Sequence, residues 1–390
     1  MEKKKLLYAL AGLGGVAAWL LFILACSGWP AWSPDGGKVL FPYAEPDSRE
    51  AGIALHDRAA GSVTSLFHFQ AADSGNGMIP FAQFTRDGKR AVVVMEWDRG
   101  RSAEALVLPV GGSAPAEHFL LPESNEISLP PYPEVGGNLF LGFNYIARLN
   151  LRTGAVETKK LSEGKGIHLI PGGDRIWFMV YDIDRPGREG SGMQFGELNP
   201  TDLSLKPFFD FWEPDQQKHG ITDLNVYALT SEPGGEKLLA SARAEDKSVL
   251  VVFGKAGVER IIQPVFPVEG CQMFGVAWSA DRKTVYAATV VPGKEKDRQD
   301  LALAEIPLSG GTVKLNVVAH LIRLKDPDNL PGIYLHVSLS PDGHTLATST
   351  GYIPGQHLVS RDDRGLFLVD LTDPARKVSR IAVPAPAGRE

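Results

Sequence analysis

A short phrase that turns the chain back on itself recurs along this sequence, and its period constrains the fold more than any other feature. It reads Trp32-Ser33-Pro34-Asp35-Gly36-Gly37-Lys38-Val39-Leu40-Phe41 near the start and Leu339-Ser340-Pro341-Asp342-Gly343-His344-Thr345-Leu346 near the end. Clear copies lie between them at Phe84-Thr85-Arg86-Asp87-Gly88 and Trp278-Ser279-Ala280-Asp281-Arg282. Worn copies stand at Pro171-Gly172-Gly173-Asp174, Glu232-Pro233-Gly234-Gly235 and Glu134-Val135-Gly136-Gly137. Counted at positions 35, 87, 135, 172, 234, 281 and 342, the gaps are 52, 48, 37, 62, 47 and 61 residues. Repeats of about 50 residues are the length of a four-stranded propeller blade.

The chemistry of the phrase supports that geometry. Proline presets φ at the second turn position, aspartate can bond its own backbone, and glycine takes the left-handed conformation that a tight hairpin needs. A short β-rich run follows each copy, among them Val39-Leu40-Phe41, Ala91-Val92-Val93-Val94, Ile176-Trp177-Phe178-Met179 and Val285-Tyr286-Ala287. Such runs are too short for core helices and are bounded by Gly and Pro, so they read as strands. Most units then supply a second hairpin, as Ile53–Asp57 turns into Val63–Leu66 and Leu366–Asp370 into Val378–Ile381. The expected fold class is all-β, a propeller of four-stranded blades, seven in number with six as the alternative because the third unit is short.

The Trp-Ser-Pro-Asp-Gly phrase, followed by an apolar strand and a Gly turn, resembles the TolB-type (WD40-like) propeller repeat. The resemblance covers residues 29 to 385 and implies the fold, not an activity, because the repeated residues belong to turns and core. Related repeats occur in the propellers of prolyl-oligopeptidase-like enzymes and in oligogalacturonate lyases. The lyases use metal-binding histidines and a glutamine from separate blades, which would correspond to His168, His219, His336 and Gln356 or His357 if their loops share a face.

The first 26 residues are a different object. Met1-Glu2-Lys3-Lys4-Lys5 is basic, Leu6 to Ala25 is apolar throughout, and Ile23-Leu24-Ala25-Cys26 matches a bacterial lipobox. Such a segment is a targeting signal and takes no part in the fold. Cleavage would leave Cys26 as a lipidated N-terminus; the alternative is an uncleaved anchor, since 20 apolar residues can span a bilayer. Both place the propeller outside the cytoplasm, with the lysines inside. The expected location is the periplasmic side of an outer membrane or an extracellular face. The domain boundaries are thus 1–26, signal peptide or anchor, and 27–390, one propeller.

Composition excludes further classes. Formal net charge is −6, and losing three Lys and one Glu with residues 1–26 takes it to −8. A mildly acidic chain without a basic stripe is a poor nucleic-acid binder. With Cys26 lipidated, Cys271 has no disulfide partner and reads as a buried, inert thiol. There is no Gly-x-Ser-x-Gly elbow, phosphate loop or His-Glu-x-x-His helix. The nine histidines show no close metal spacing. Asp326-Pro327-Asp328-Asn329 lacks the glycine and distal glutamate of a calcium loop and reads as turn chemistry. No catalytic residue, metal or cofactor is expected.

The loops carry more information. Second-to-third-strand and blade-to-blade connections should share the face opposite the Asp-Gly turns, and here they are long and varied. Long loops on a rigid scaffold are where binding resides, and aromatics among charges are what interface anchors look like. The candidate binding face is therefore Phe211, Trp212, Arg185, Arg188, Tyr352, Asp362 and Asp363. Trp212 is the expected exposed contact, while Phe208 or Phe209 packs between blades. The expected function is a noncatalytic platform for an envelope protein or polymer, tethered to the membrane through Cys26 or an N-terminal helix. The alternative is a metal-dependent saccharide lyase or hydrolase with its site in the central channel.

Overall fold

In all four well-preserved phrases the turn builds the same bond network. Ser33 donates from Oγ to Asp35 Oδ1 at 2.6 Å, the same oxygen accepts Gly37 N at 2.9 Å, and Lys38 N donates back to Ser33 Oγ at 2.8 Å. Thr85–Asp87, Ser279–Asp281 and Ser340–Asp342 repeat it at 2.7, 2.7 and 2.5 Å. These donors hold all four carboxyls below the ordinary aspartate value, the hydroxyl bond being the largest cause each time. The fourth turn position is left-handed throughout, and Arg282 adopts φ 60° where its sister turns carry glycine.

These turns join strands into seven separate four-stranded antiparallel sheets, each in simple sequence order. Blade one comprises Ala31–Trp32, Lys38–Ala44, Glu50–Asp57 and Ser62–Gln70; blade two Phe81–Phe84, Arg90–Glu96, Ser102–Pro109 and Glu117–Glu123. Blade three is the short one, with Glu134–Val135, Asn138–Gly142, Tyr145–Asn150 and Val156–Lys160. Blade four comprises Gly166–Gly172, Arg175–Tyr181, Gly192–Leu198 and Leu205–Trp212; blade five Asn225–Ser231, Leu238–Ala244, Lys247–Gly254 and Gly257–Ile262. Gln272–Trp278, Thr284–Pro292, Gln299–Pro307 and Lys314–Leu321 form blade six, and Val337–Leu339, Thr345–Ser349, Leu366–Asp370 and Val378–Ile381 blade seven. Seven blades are present, and the six-blade alternative falls. The computed structural model describes residues 29–44, 50–70, 81–96, 102–111, 115–123, 130–161, 166–181, 183, 192–221, 224–245, 247–294, 298–321, 335–350 and 363–383.

Successive side chains of a strand point to opposite faces, and here both faces are buried. Val39 and Phe41 pack against blade seven, while Leu40 between them packs against blade two. Ile176, Phe178 and Val180 face blade three; Trp177 and Met179 face blade five. The seven apolar clusters are the seven blade-to-blade seams. A one-residue register slip would exchange the two seams of a blade, which is why the registers are fixed.

Polar side chains then cross the seams. Arg90 donates to Leu151 O at 2.7 Å, Arg148 to Pro200 O at 2.7 Å and Trp177 Nε1 to Gly235 O at 2.8 Å. Arg376 pairs with Glu305 at 2.6 Å between blades six and seven. Among the described residues no strand is shared between the first and last blades, and side chains join the two across their seam. Among the described residues that seam has the smallest apolar cluster, of seven buried residues. It is reinforced by Trp32 Nε1 donating to Ser338 O at 3.0 Å and by Arg58 donating to Gly36 O and Thr345 Oγ1 at 3.1 and 3.3 Å.

Candidate functional site: the long-loop mouth of the channel

Each inner strand starts on the long-loop side of the channel and ends at its Asp-Gly turn. The residues just before or early in these strands therefore gather at one mouth. Trp29 leads into the inner strand of blade one and stacks on His336, with ring centroids 4.0 Å apart and planes at 23°. His336 leads into the inner strand of blade seven; its carbonyl accepts Thr348 Oγ1 at 2.8 Å, and the adjoining Leu335 O accepts Gly275 N at 2.7 Å. His168 is the third residue of blade four's inner strand, and Tyr227 occupies the same place in blade five. The Tyr227 ring lies 5.7 Å from that of Phe274 on blade six.

Burial keeps both imidazoles neutral. It pulls His168 down to about 4 and His336 to about 3, the latter helped by the charge His168 would carry. The charge His168 would carry adds to the lowering of His336, although the two residues stand three blades apart in sequence. His168 keeps part of its surface open, yet its Nε2 is enclosed without a hydrogen-bond partner among the described residues. Burial also raises the Tyr227 phenol, opposed by the charge of Arg243 and a hydrogen bond from it. The mouth thus offers aromatic faces and neutral polar groups. Among the described residues of the mouth, His168 and His336 carry the imidazoles that could face a metal. The described residues include no group of three or more His, Cys, Asp or Glu placed to hold one.

The other expected site residues fare differently. Trp212 and Phe211 are core, not exposed anchors, with 1% and 2% of their surface accessible. The outer strand of blade four runs on through Trp212, and alternation sends Phe211 towards blade five and Trp212 towards blade three. Gly192 makes the room, since a Cβ there would lie 2.7 Å from the Trp212 ring. The acids after it are not loop either. Glu213–Lys218 is a helix started by a proline in its first turn, and Asp215 Oδ2 accepts Trp212 N at 3.3 Å. Phe208 and Phe209 do pack inward, edge-on to Trp177 at 5.6 Å and stacked on Phe195 at 5.0 Å.

Asp363 is half-buried beside the Asp300–His320 pair, whose Oδ1–Nδ1 distance is 2.7 Å, and its Oδ1 accepts His320 N at 3.5 Å. The bond to Asp300 raises the His320 pKa. His219 is exposed after the short helix, away from His168 and His336. Arg185, Arg188, Tyr352, Asp362, Gln356, His357, Cys26 and the Asp326–Asn329 turn lie outside the described residues. Cys271 is half-buried rather than fully buried, and desolvation pushes its thiol up to about 11. On the turn face, a groove of about 450 Å³ opens at the seam of blades one and seven, lined by Arg58, His344, Asp370, Lys377 and Ser379 among others.

The aromatic mouth carries no motif. Its members are single residues in different blades, and only their shared place near the start of inner strands could have linked them in the sequence.

The sequence matches no family model and no curated protein sequence. Among solved structures, the chain is similar to a putative 6-phosphogluconolactonase from Bacteroides uniformis, with 14% identity, TM-score 0.51, and 89% of this chain and 96% of that one covered. It is similar to hydrazine synthase from Kuenenia stuttgartiensis at 13% identity and TM-score 0.51, over 92% and 96% of the two chains. An oligogalacturonate lyase from Vibrio parahaemolyticus matches at 10% identity and TM-score 0.50, over 88% and 84%. At these identities the likeness is one of fold alone, and the chain is a seven-bladed β-propeller.

Proposed function

We propose that this chain is an exported, membrane-tethered propeller of the TolB-type repeat that serves as a noncatalytic binding platform for an envelope protein or polymer. The apolar segment ending in Cys26 supports the tether. The observation that carries the binding role is the long-loop mouth, where Trp29, His168 and Tyr227 keep accessible surface. The aromatic side chains within the blades are largely consumed by the seams. Aromatic faces beside neutral hydrogen-bonding groups suit interface recognition. The test is retention of envelope components by an immobilised propeller lacking residues 1–26. Retention lost with Tyr227→Ala and kept with Lys89→Ala on the turn face supports the reading; equal retention by both variants, or none by the parent, refutes it.

A second reading is metal-dependent processing of an acidic saccharide, favoured by the two neutral imidazoles that burial leaves on blades four and seven, His168 and His336. A ligand that binds only the folded state raises its stability. Stabilisation by a divalent cation that disappears in His168→Gln would support this second reading, and no stabilisation would dismiss it.

A further inference from the structure

We propose that the long-loop face of the propeller lies against a lipid bilayer, with the Asp-Gly turn face looking into the aqueous compartment. The inference rests on the membrane-tether reading above and adds an orientation to it. Blade one begins with its innermost strand, so the chain enters the propeller beside the central channel rather than at an outer rim. It enters on the long-loop side, because Ala31–Trp32 runs from there to the Asp35 turn. Trp29 is fixed at that mouth by its stack on His336. Only Ser27 and Gly28 separate Trp29 from Cys26, and Ala25 ends the apolar run.

Three residue steps span at most about 10 Å of extended chain. A tether that short, attached near the middle of a face, holds that face towards the membrane. Turning the molecule over would require the chain to pass around the whole rim, which three residues cannot do. The same geometry follows whether Cys26 is lipidated or the apolar segment stays as an anchor. Whatever the channel mouth binds is then presented from the same membrane. The groove at the seam of blades one and seven faces away from it.

The full-length chain would be placed in phosphatidylcholine vesicles, with Cys271→Ala as background, and exposed to a bulky maleimide polymer. One variant carries Glu269→Cys and another Lys89→Cys; labelled positions are assigned by peptide mass so that Cys26 is counted separately. Glu269 is exposed beside Gly270, which approaches Pro292 at the long-loop end of blade six, and Lys89 is exposed at the turn of blade two. The expected result is several-fold slower labelling of Glu269→Cys in vesicles than in detergent, with Lys89→Cys unchanged. Equal rates at both positions on chain that floats with the vesicles overturn the orientation and leave the tether standing. Chain that fails to float overturns the tether reading and the orientation with it. Shielding of Glu269→Cys in native envelopes but not in vesicles also overturns the bilayer contact, and assigns the face to a protein.

Discussion

Two neutral histidines inside the channel make the propeller sensitive to mild acid, and the size of the effect follows from their burial. The folded values of about 4 and about 3 lie below the ordinary 6.5. The unfolded chain therefore binds more protons than the folded one between these limits. Stability from both groups is fully present above pH 6.5 and is lost as pH falls towards the folded values. At ~pH 5 an unfolded histidine is almost wholly protonated, which favours unfolding by about 2 kcal/mol for each ring. His168 keeps part of its surface open, so its share is discounted for solvent, and the pair is expected to cost about 2–4 kcal/mol.

The four turn aspartates do not interfere, because their values lie below 3.8 in the fold and they stay ionised in both states across this window. The assay is urea unfolding of the propeller lacking residues 1–26, at ~pH 7.5 and ~pH 5, beside a His168→Gln, His336→Gln double variant. The parent should lose about 2–4 kcal/mol more than the variant between the two conditions. Because His336 sits at the seam of blades one and seven, amide exchange at low pH should rise there first. Equal losses in parent and variant, or imidazole resonances titrating near 6.5, would show that the two rings are not buried as neutral groups.

Trp212→Ala should cost about 3–5 kcal/mol as a buried aromatic truncation, and a shift in urea midpoint worth less than about 1 kcal/mol would contradict its burial. Gly235→Ala should destabilise by about 1–3 kcal/mol, because φ is 72° and a Cβ would stand 2.1 Å from Gly172 O across the seam of blades four and five; an unchanged melting curve would show that the seam is looser. Cys271, with its pKa near 11 against an ordinary 9.0, should react with iodoacetamide about a hundredfold more slowly at neutral pH than a free thiol. A rate matching free cysteine would place the thiol in solvent.

How far the sequence could be read depended on whether the determining chemistry was local. Ser33, Asp35 and Gly36 bond within six residues, so each clear copy of the phrase announces its turn. Blade three has Val135 in the aspartate's place, and Asn138 Nδ2 donates to Gly136 O at 3.2 Å instead, which is why its copy looks worn while the turn survives. The strand alternation around Phe211 and Trp212 was hidden by the acids that follow, which read as loop but begin a helix at Glu213. The channel mouth was beyond local reading altogether. Trp29 and His336 meet only because the ring closes.

The most direct test of the proposed binding role places a photoreactive side chain at Tyr227 in the full-length protein inside the cells that make it, with the same probe at Lys89 as a comparison. The expected result is a discrete protein or polymer adduct from Tyr227, held in the membrane fraction, and none from Lys89. An adduct confined to Lys89, or no adduct from either position, would contradict it.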